Sequence, residues 1–406
     1  MDKRTFLVRV TGADRPGITA ALMACLAEAN ADVVDVEQIA LRNRLDLAVV
    51  IGVPEGEDVL KDLLLFGWER ELEVDFDVLE AHDTPPASSR YAVTLIAQRM
   101  SADQLAAASN AIATAHGNID RIVQLASYPV TAYELLVSGC DLAAARGRLL
   151  EASSEHRFDV AIQREGLARR SLRLVCLDVD STLIQDEVIE LLADEAGCRE
   201  QVARITDRAM AGELDFEASL RERVAQLEGL DVGVLERVRK RMRLTPGART
   251  FVRTLKHLGF RTAIVSGGFT PFTDALAEEL GLDHAHANQL EIVDGHITGK
   301  LTGPIVDRAG KARILGEVAA AEGISLDQCV AVGDGANDLD MLAAAGLGIA
   351  FNAKPAVRAA ADTALTVPYL DAVLFVLGIK RTDVEAAGYD DDVLGGSDSP
   401  PVTSPS

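Results

Sequence analysis

Three short polar runs, far apart in the chain, hold residue types that transfer phosphoryl groups. Asp178 and Asp180 stand one residue apart in Asp178-Val179-Asp180-Ser181-Thr182, directly after the apolar stretch 172–177. Ser266-Gly267-Gly268 follows the apolar stretch 261–265, and Gly333-Asp334-Gly335-Ala336-Asn337-Asp338 follows 329–332. Lys311 lies between these two, after Gly310, where a helical stretch opens. If Asp178, Asp180 and Asp334 converge, their like charges raise one another's pKa, and a hard divalent cation relieves the conflict. All-oxygen ligation selects magnesium over zinc. One carboxylate could then attack phosphorus while a second serves as general acid and base. Ser266, the N–H groups after it and Lys311 could hold the phosphoryl oxygens.

These runs can meet only if the strands before them are neighbours. The stretches 172–177, 261–265, 329–332 and 348–349 read as short buried strands separated by helices. That alternation predicts a doubly wound α/β domain over 171–385, whose parallel sheet binds ligands at the carboxyl ends of its strands. Residues 186–245 read as wholly helical, an insertion capping one end of the sheet. Upstream, 1–84 reads β-α-β-β-α-β, a ferredoxin-like order, and 90–165 repeats that order more than its residues. Thr84-Pro85-Pro86-Ala87-Ser88-Ser89 has linker composition, and 389–406 has little to bury and is expected to be disordered.

Taken together, D-V-D-S-T, S-G-G, the isolated Lys311 and G-D-G-A-N-D resemble, in order and spacing, the haloacid-dehalogenase superfamily. Asp178 to Glu187, the stretch 205–212 and the stretch 215–224 narrow the resemblance to its phosphoserine phosphatases. The resemblance implies a Rossmannoid fold with a helical cap, Asp178 as nucleophile and Asp180 as general acid and base. It implies Mg2+ on the Asp178 and Asp334 carboxylates and the Asp180 carbonyl, with Asp338 behind the metal or Lys311. Phosphate would meet Ser266, Gly267, Lys311 and Asn337. Glu187 would take the substrate ammonium and Arg223 its carboxylate, under an apolar lid of Met210 and Phe216. Val10-Thr11-Gly12-Ala13-Asp14-Arg15-Pro16-Gly17-Ile18 resembles the opening of an ACT domain, a family that binds amino acids near that turn. An amino-acid effector, possibly serine, near Asp14 and Gly17 and a homo-oligomer formed through ACT units are the implied consequences. The second copy has Ala97-Gln98-Arg99-Met100-Ser101 there, without the Pro-Gly turn.

The charge balance agrees with a small-molecule enzyme. Lys plus Arg number 40 against 63 Asp plus Glu, a formal charge of −23, which argues against nucleic acid and anionic membranes as partners. Five scattered cysteines without a C-x-x-C pair, and a start without an apolar signal region, point to reduced thiols and a cytoplasmic location. Bland readings compete at several positions. Asp14 could be a helix cap, Glu187 a first-turn residue, Arg221 and Arg223 solvated surface, and Met210 and Phe216 core. The competing functions are a phosphatase for another small phosphomonoester and an amino-acid sensor with a weakly active phosphatase domain.

Overall fold

The computed structural model describes residues 3–54, 59–79, 89–211 and 213–387. The expected linker at 84–88 and tail at 389–406 lie outside these, as do Gly212 and the Met210 side chain. The chain divides into two compact units at Ser88 and Ser89.

In the first unit, β1 (Lys3–Ala13), β2 (Asp32–Leu41), β3 (Arg44–Pro54) and β4 (Glu73–Leu79) form an antiparallel sheet in the order β2-β3-β1-β4. Alternate residues of β3, Leu45, Leu47, Val49 and Ile51, point at the helices Ile18–Glu28 and Val59–Arg70 and are buried. The first helix opens at Gly17, whose φ of 93° suits a residue without Cβ. Asp14 does not cap it by side chain; its backbone N–H donates to Asn43 O at 2.9 Å.

The second unit begins with the same order. β5 (Arg90–Ala97), β6 (Asn118–Ala126), β7 (Thr131–Ser138) and β8 (Asp159–Arg164) pair as β6-β7-β5-β8. Here Ser101 and Gln104 form a reciprocal capping box at the first helix, so the missing Pro-Gly turn is replaced by side-chain capping.

The seven-stranded sheet that follows has the order β12-β11-β10-β9-β13-β14-β15. Its members are β9 (Leu174–Leu177), β10 (Arg261–Phe269), β11 (His284–Val293), β12 (His296–Thr302), β13 (Cys329–Gly333), β14 (Leu347–Phe351) and β15 (Thr363–Leu365). Pairing is parallel except between β11 and β12. Every residue of β9, β13 and β14 is buried, as a sheet covered on both faces requires. The predicted insertion is helical, with helices Val188–Glu195, Arg199–Met210, Phe216–Ala225 and Gly233–Arg239. The β11–β12 hairpin, absent from the sequence reading, braces it: Gly229 N–H donates to Ile297 O at 2.8 Å and Val232 N–H to Gly295 O at 2.9 Å.

The second βαββαβ unit is welded to this sheet. Ile96, Leu125 and Val130 share one apolar cluster with Val175, Leu177 and Val376. Gln163 donates to Val376 O at 2.7 Å, and Arg169 pairs with Glu134 at 2.5 Å and Glu165 at 3.2 Å. No helix among the described residues is long and apolar enough to cross a membrane.

Candidate active site

β9 lies between β10 and β13, so the polar residues ending these three strands become neighbours. Asp178 ends β9, its N–H bonded to Val332 O at 2.9 Å. The chain then makes a wide helical turn, Val179–Leu183, in which Ser181 adopts φ 57°. A non-glycine residue in that region is costly and marks a locally imposed conformation. The turn directs the two carboxylates apart. Asp178 faces inward to Lys311, whereas Asp180 accepts hydrogen bonds from Val188 N–H at 2.8 Å and Ser266 Oγ at 3.1 Å.

Lys311 reaches in from the helix Arg308–Ala321, wholly buried, 2.6 Å from both Asp178 Oδ1 and Asp338 Oδ1. Toward Asp338 this is a directed hydrogen bond; toward Asp178 it is an ion pair, leaving Asp178 Oδ1 without a directed donor. Asp338 also accepts from Gly335 N–H at 2.9 Å. Asp334 receives Thr182 Oγ1 at 3.4 Å. Carboxylate oxygens of Asp178, Asp334 and Asp338 all lie within 4.8 Å of one another.

The electrostatics follow from this crowding. Burial first, then the Asp338 charge, push the Asp178 pKa well above the usual carboxylate range. Burial likewise raises Asp180, and lifts Asp334 to about 6 with Asp338 adding to it. For Lys311 burial acts downward, but Asp178 and Asp338 outweigh it and hold the ammonium protonated. One lysine cannot neutralise three converging carboxylates. Asp178, Asp334 and Asp338, with carboxylate oxygens within 4.8 Å of one another and a single lysine between two of them, form an all-oxygen donor set that fits a hard divalent cation.

Across the site stands the cap. Glu187 begins the helix Val188–Glu195 and accepts from Ser181 Oγ at 2.8 Å; burial and then Asp180 lift its pKa to about 7. Arg223 is half-buried on the helix Phe216–Ala225 and its pKa is lowered by burial, against the opposing pull of Glu187 and Asp180. Arg221, two residues away, is exposed and paired with Glu217. Phe216 reaches over β10: a Cβ on Gly267 would lie 3.2 Å from its Cζ. Asn337 is half-buried beside Asp338 with its amide directed to no protein partner among the described residues. Asp14 and Gly17 belong to the other compact unit.

Comparison with known proteins fits this geometry. The haloacid dehalogenase-like hydrolase family matches residues 175–343, and ACT domain families match 4–77 and 89–163. A phosphoserine phosphatase from Streptomyces coelicolor is 53% identical, covering 97% of both chains. The chain belongs to the phosphoserine phosphatase family. A second such phosphatase, from Mycobacterium tuberculosis, is 46% identical over 96% of this chain and 97% of its own. Among solved structures, a probable phosphoserine phosphatase from Vibrio cholerae superposes with TM-score 0.57 at 36% identity, covering 72% of this chain and 87% of that one. A HAD family hydrolase from Salmonella enterica serovar Typhi reaches 0.63 at 33% identity, over 71% and 98%. The chain is a phosphoric monoester hydrolase with two ACT domains ahead of the parallel sheet.

Sequence reasoning missed two supports of this phosphatase site. Asn288, buried in β11, donates to Gly267 O at 2.8 Å and accepts from Val306 N–H at 2.8 Å, pinning the Ser-Gly-Gly segment. Thr245 Oγ1 donates to Thr182 O at 2.7 Å, tying the return from the cap to the catalytic turn. A lone Asn in a strand and a lone Thr before Pro carry no distinguishing pattern.

Proposed function

We propose that the chain hydrolyses O-phospho-L-serine to L-serine and phosphate through an aspartyl-phosphate intermediate on Asp178. The observation that carries this reading is the Asp178 carboxylate, buried at the end of the central strand, 2.6 Å from Lys311 and clustered with Asp334 and Asp338. An Asp178 oxygen attacks phosphorus and the bond from phosphorus to the serine oxygen breaks. Asp180, whose raised pKa favours its protonated form, gives its proton to that departing oxygen. Asp180 then takes a proton from water as the water oxygen attacks the phosphoryl group. The bond to Asp178 breaks, phosphate leaves and both carboxyl groups return to their starting states. Ser266, the Gly267 N–H, Lys311 and Asn337 hold the phosphoryl oxygens throughout.

Mg2+, held by the Asp178 and Asp334 carboxylates and the Asp180 main-chain carbonyl, would supply the charge that keeps Asp178 ionised in a site that otherwise favours its protonation. Asp338 supports that set by fixing Lys311. Glu187 meets the substrate ammonium and Arg223 its carboxylate, the guanidinium suiting a planar anion. Phe216 closes over them. Residues 171–385 thus carry the chemistry, with 186–245 selecting the substrate. The units 1–84 and 90–165 regulate it: an amino acid, serine by the chemistry of the product, binds near Asp14 and Gly17 in a cytoplasmic homo-oligomer assembled through ACT sheets.

The decisive assay is phosphate release from phosphoserine with magnesium, with chelator, and with Asp178→Asn. Activity should vanish in the last two. Near wild-type turnover by Asp178→Asn would end the covalent reading. Arg223→Ala should lose far more kcat/KM on phosphoserine than on p-nitrophenyl phosphate, and equal losses would remove carboxylate recognition.

A further inference from the structure

A second cavity, of about 680 Å³, lies between the second ACT domain and the catalytic domain, away from Asp178. Gln98 and Arg99 enter it from the turn after β5, the position that Gly12 to Gly17 occupy in the first copy. Arg157 enters from the end of the helix Leu142–His156, where it adopts φ 58° and ψ 57°. Its carbonyl accepts from Gln104 Nε2 at 3.0 Å, so this unfavourable conformation is held in place at the cavity wall.

The charges in this cavity do not cancel. Asp159 is already engaged, accepting from Thr366 N–H at 2.7 Å and Thr366 Oγ1 at 2.9 Å. Neither the Arg99 nor the Arg157 guanidinium has an acceptor among the described residues. In a chain with 63 acidic side chains against 40 basic ones, two unpaired guanidinium groups on one cavity are a local reversal of sign. Ile96, Pro129 and Val367 line the same space and contribute apolar surface to it.

The far wall of the cavity leads to the active site through bonded neighbours. Thr366 to Tyr369 form it, and the next residue, Leu370, donates its N–H to Pro246 O at 2.8 Å. Pro246 follows Thr245, whose hydroxyl holds Thr182 O at 2.7 Å, and Thr182 Oγ1 reaches Asp334 at 3.4 Å. Thr245 also ends the return strand of the cap, with its N–H on Leu183 O at 2.9 Å.

We propose that this cavity is a regulatory site for a small dicarboxylate, one carboxylate on each of Arg99 and Arg157, whose binding shifts turnover by moving the 366–370 segment at the base of the cap. Guanidinium groups take carboxylates through paired hydrogen bonds, and a short carbon chain suits the apolar floor. The site is separate from the Asp14–Gly17 turn. Its binding half stands without the phosphoserine reading; only its effect on turnover rests on that reading.

The test uses the full chain with magnesium, titrated calorimetrically with succinate, followed by phosphoserine kinetics with and without succinate. Saturable binding of one succinate per chain is expected, weakened at least about tenfold in Arg99→Gln and in Arg157→Gln as each loses a charge-assisted pair. Both variants should melt as the parent does and keep its basal kcat. Saturating succinate should change kcat/KM for phosphoserine by about fivefold or more in the parent and leave both variants unchanged. Absence of saturable heat, or undiminished heat in both variants, overturns the site. Sulfate displacing succinate at equal concentration overturns the dicarboxylate assignment. Binding without any kinetic change overturns the regulatory role.

Discussion

Lys311 illustrates how much depends on one side chain. It sits between two buried carboxylates at 2.6 Å each, and removing it leaves Asp178 without a cation and Asp338 with only the Gly335 N–H. Breaking a buried ion pair by deleting one member costs about 3–5 kcal/mol, so Lys311→Met in chelator should lower the urea-unfolding free energy by about that amount. A loss under about 1 kcal/mol would mean the carboxylates simply take up protons. Glu187 gives a pH signature of opposite sign to an ordinary paired carboxylate. Its pKa rises from 4.5 to about 7 on folding, through burial and then Asp180, so the native state keeps a proton that the unfolded chain has released. The associated stability is present below 4.5 and is lost as pH climbs through 7. Glu187→Gln should therefore match the parent at low pH and exceed it at pH near 8 in chelator, by a margin that solvent screening of this exposed side chain keeps small. A pH-independent difference in thermal unfolding would contradict this origin.

At the level of elements, the cap is braced by the β11–β12 hairpin and also meets the sheet at a close contact over the site and at a narrow base. The contact is Phe216 against Gly267, where an added Cβ would be 3.2 Å from the ring and the ring must yield. Gly267→Ala should raise KM for phosphoserine severalfold by holding the cap ajar, with the melting temperature within a few degrees of the parent, since the half-buried Phe216 ring need give only a few tenths of an ångström. The base consists of the Ile184–Leu244 bridge and Arg243 bonded to Asp186, including Arg243 N–H at 2.8 Å. The guanidinium part of that pair is exposed and contributes little to stability. Its value lies in fixing where the cap helices leave the sheet.

The whole molecule adds two effects. Its charge of −23 opposes an anionic substrate at long range, so the site works against the surrounding field. Raising ionic strength from about 0.01 M to 0.15 M shortens the screening length from roughly 30 Å to 8 Å and should lower KM for phosphoserine. A KM that rises with salt would mean the local cations dominate the approach. The second effect is mechanical coupling between ACT and catalytic domains. The Arg169 side chain is only 9% exposed while it joins Glu134 on the ACT sheet to Glu165. It also donates to Val376 O at 3.3 Å. Arg169→Met should leave Glu134 without its cation and Glu165 with only the exposed Arg170, and split the calorimetric unfolding of residues beyond 89 into separate ACT and catalytic transitions. Retention of a single transition would show that the shared apolar cluster suffices.

The amino-acid sequence by itself determined the order of most elements, though not the β11–β12 hairpin, and the residue types available for chemistry. Helix and strand periods are local, so β3 with its alternating Leu45, Leu47, Val49 and Ile51 and the fully apolar β9 and β13 could be read directly. The polar runs after β9, β10 and β13 carried their own chemistry in their residue types. Tertiary structure alone decided which side chains share a point in space. It grouped the Asp338 carboxylate with Asp178 and Asp334 while sending that of Asp180 to Ser266. It paired Asn288 with the Gly267 carbonyl, folded β11 and β12 against the cap, and left Arg99 and Arg157 facing one cavity. Such meetings depend on the twist and order of strands distant along the chain, and on a five-residue turn that aims Asp178 and Asp180 in different directions. No local pattern records them, because the free energy that selects them comes from burial summed over the entire fold.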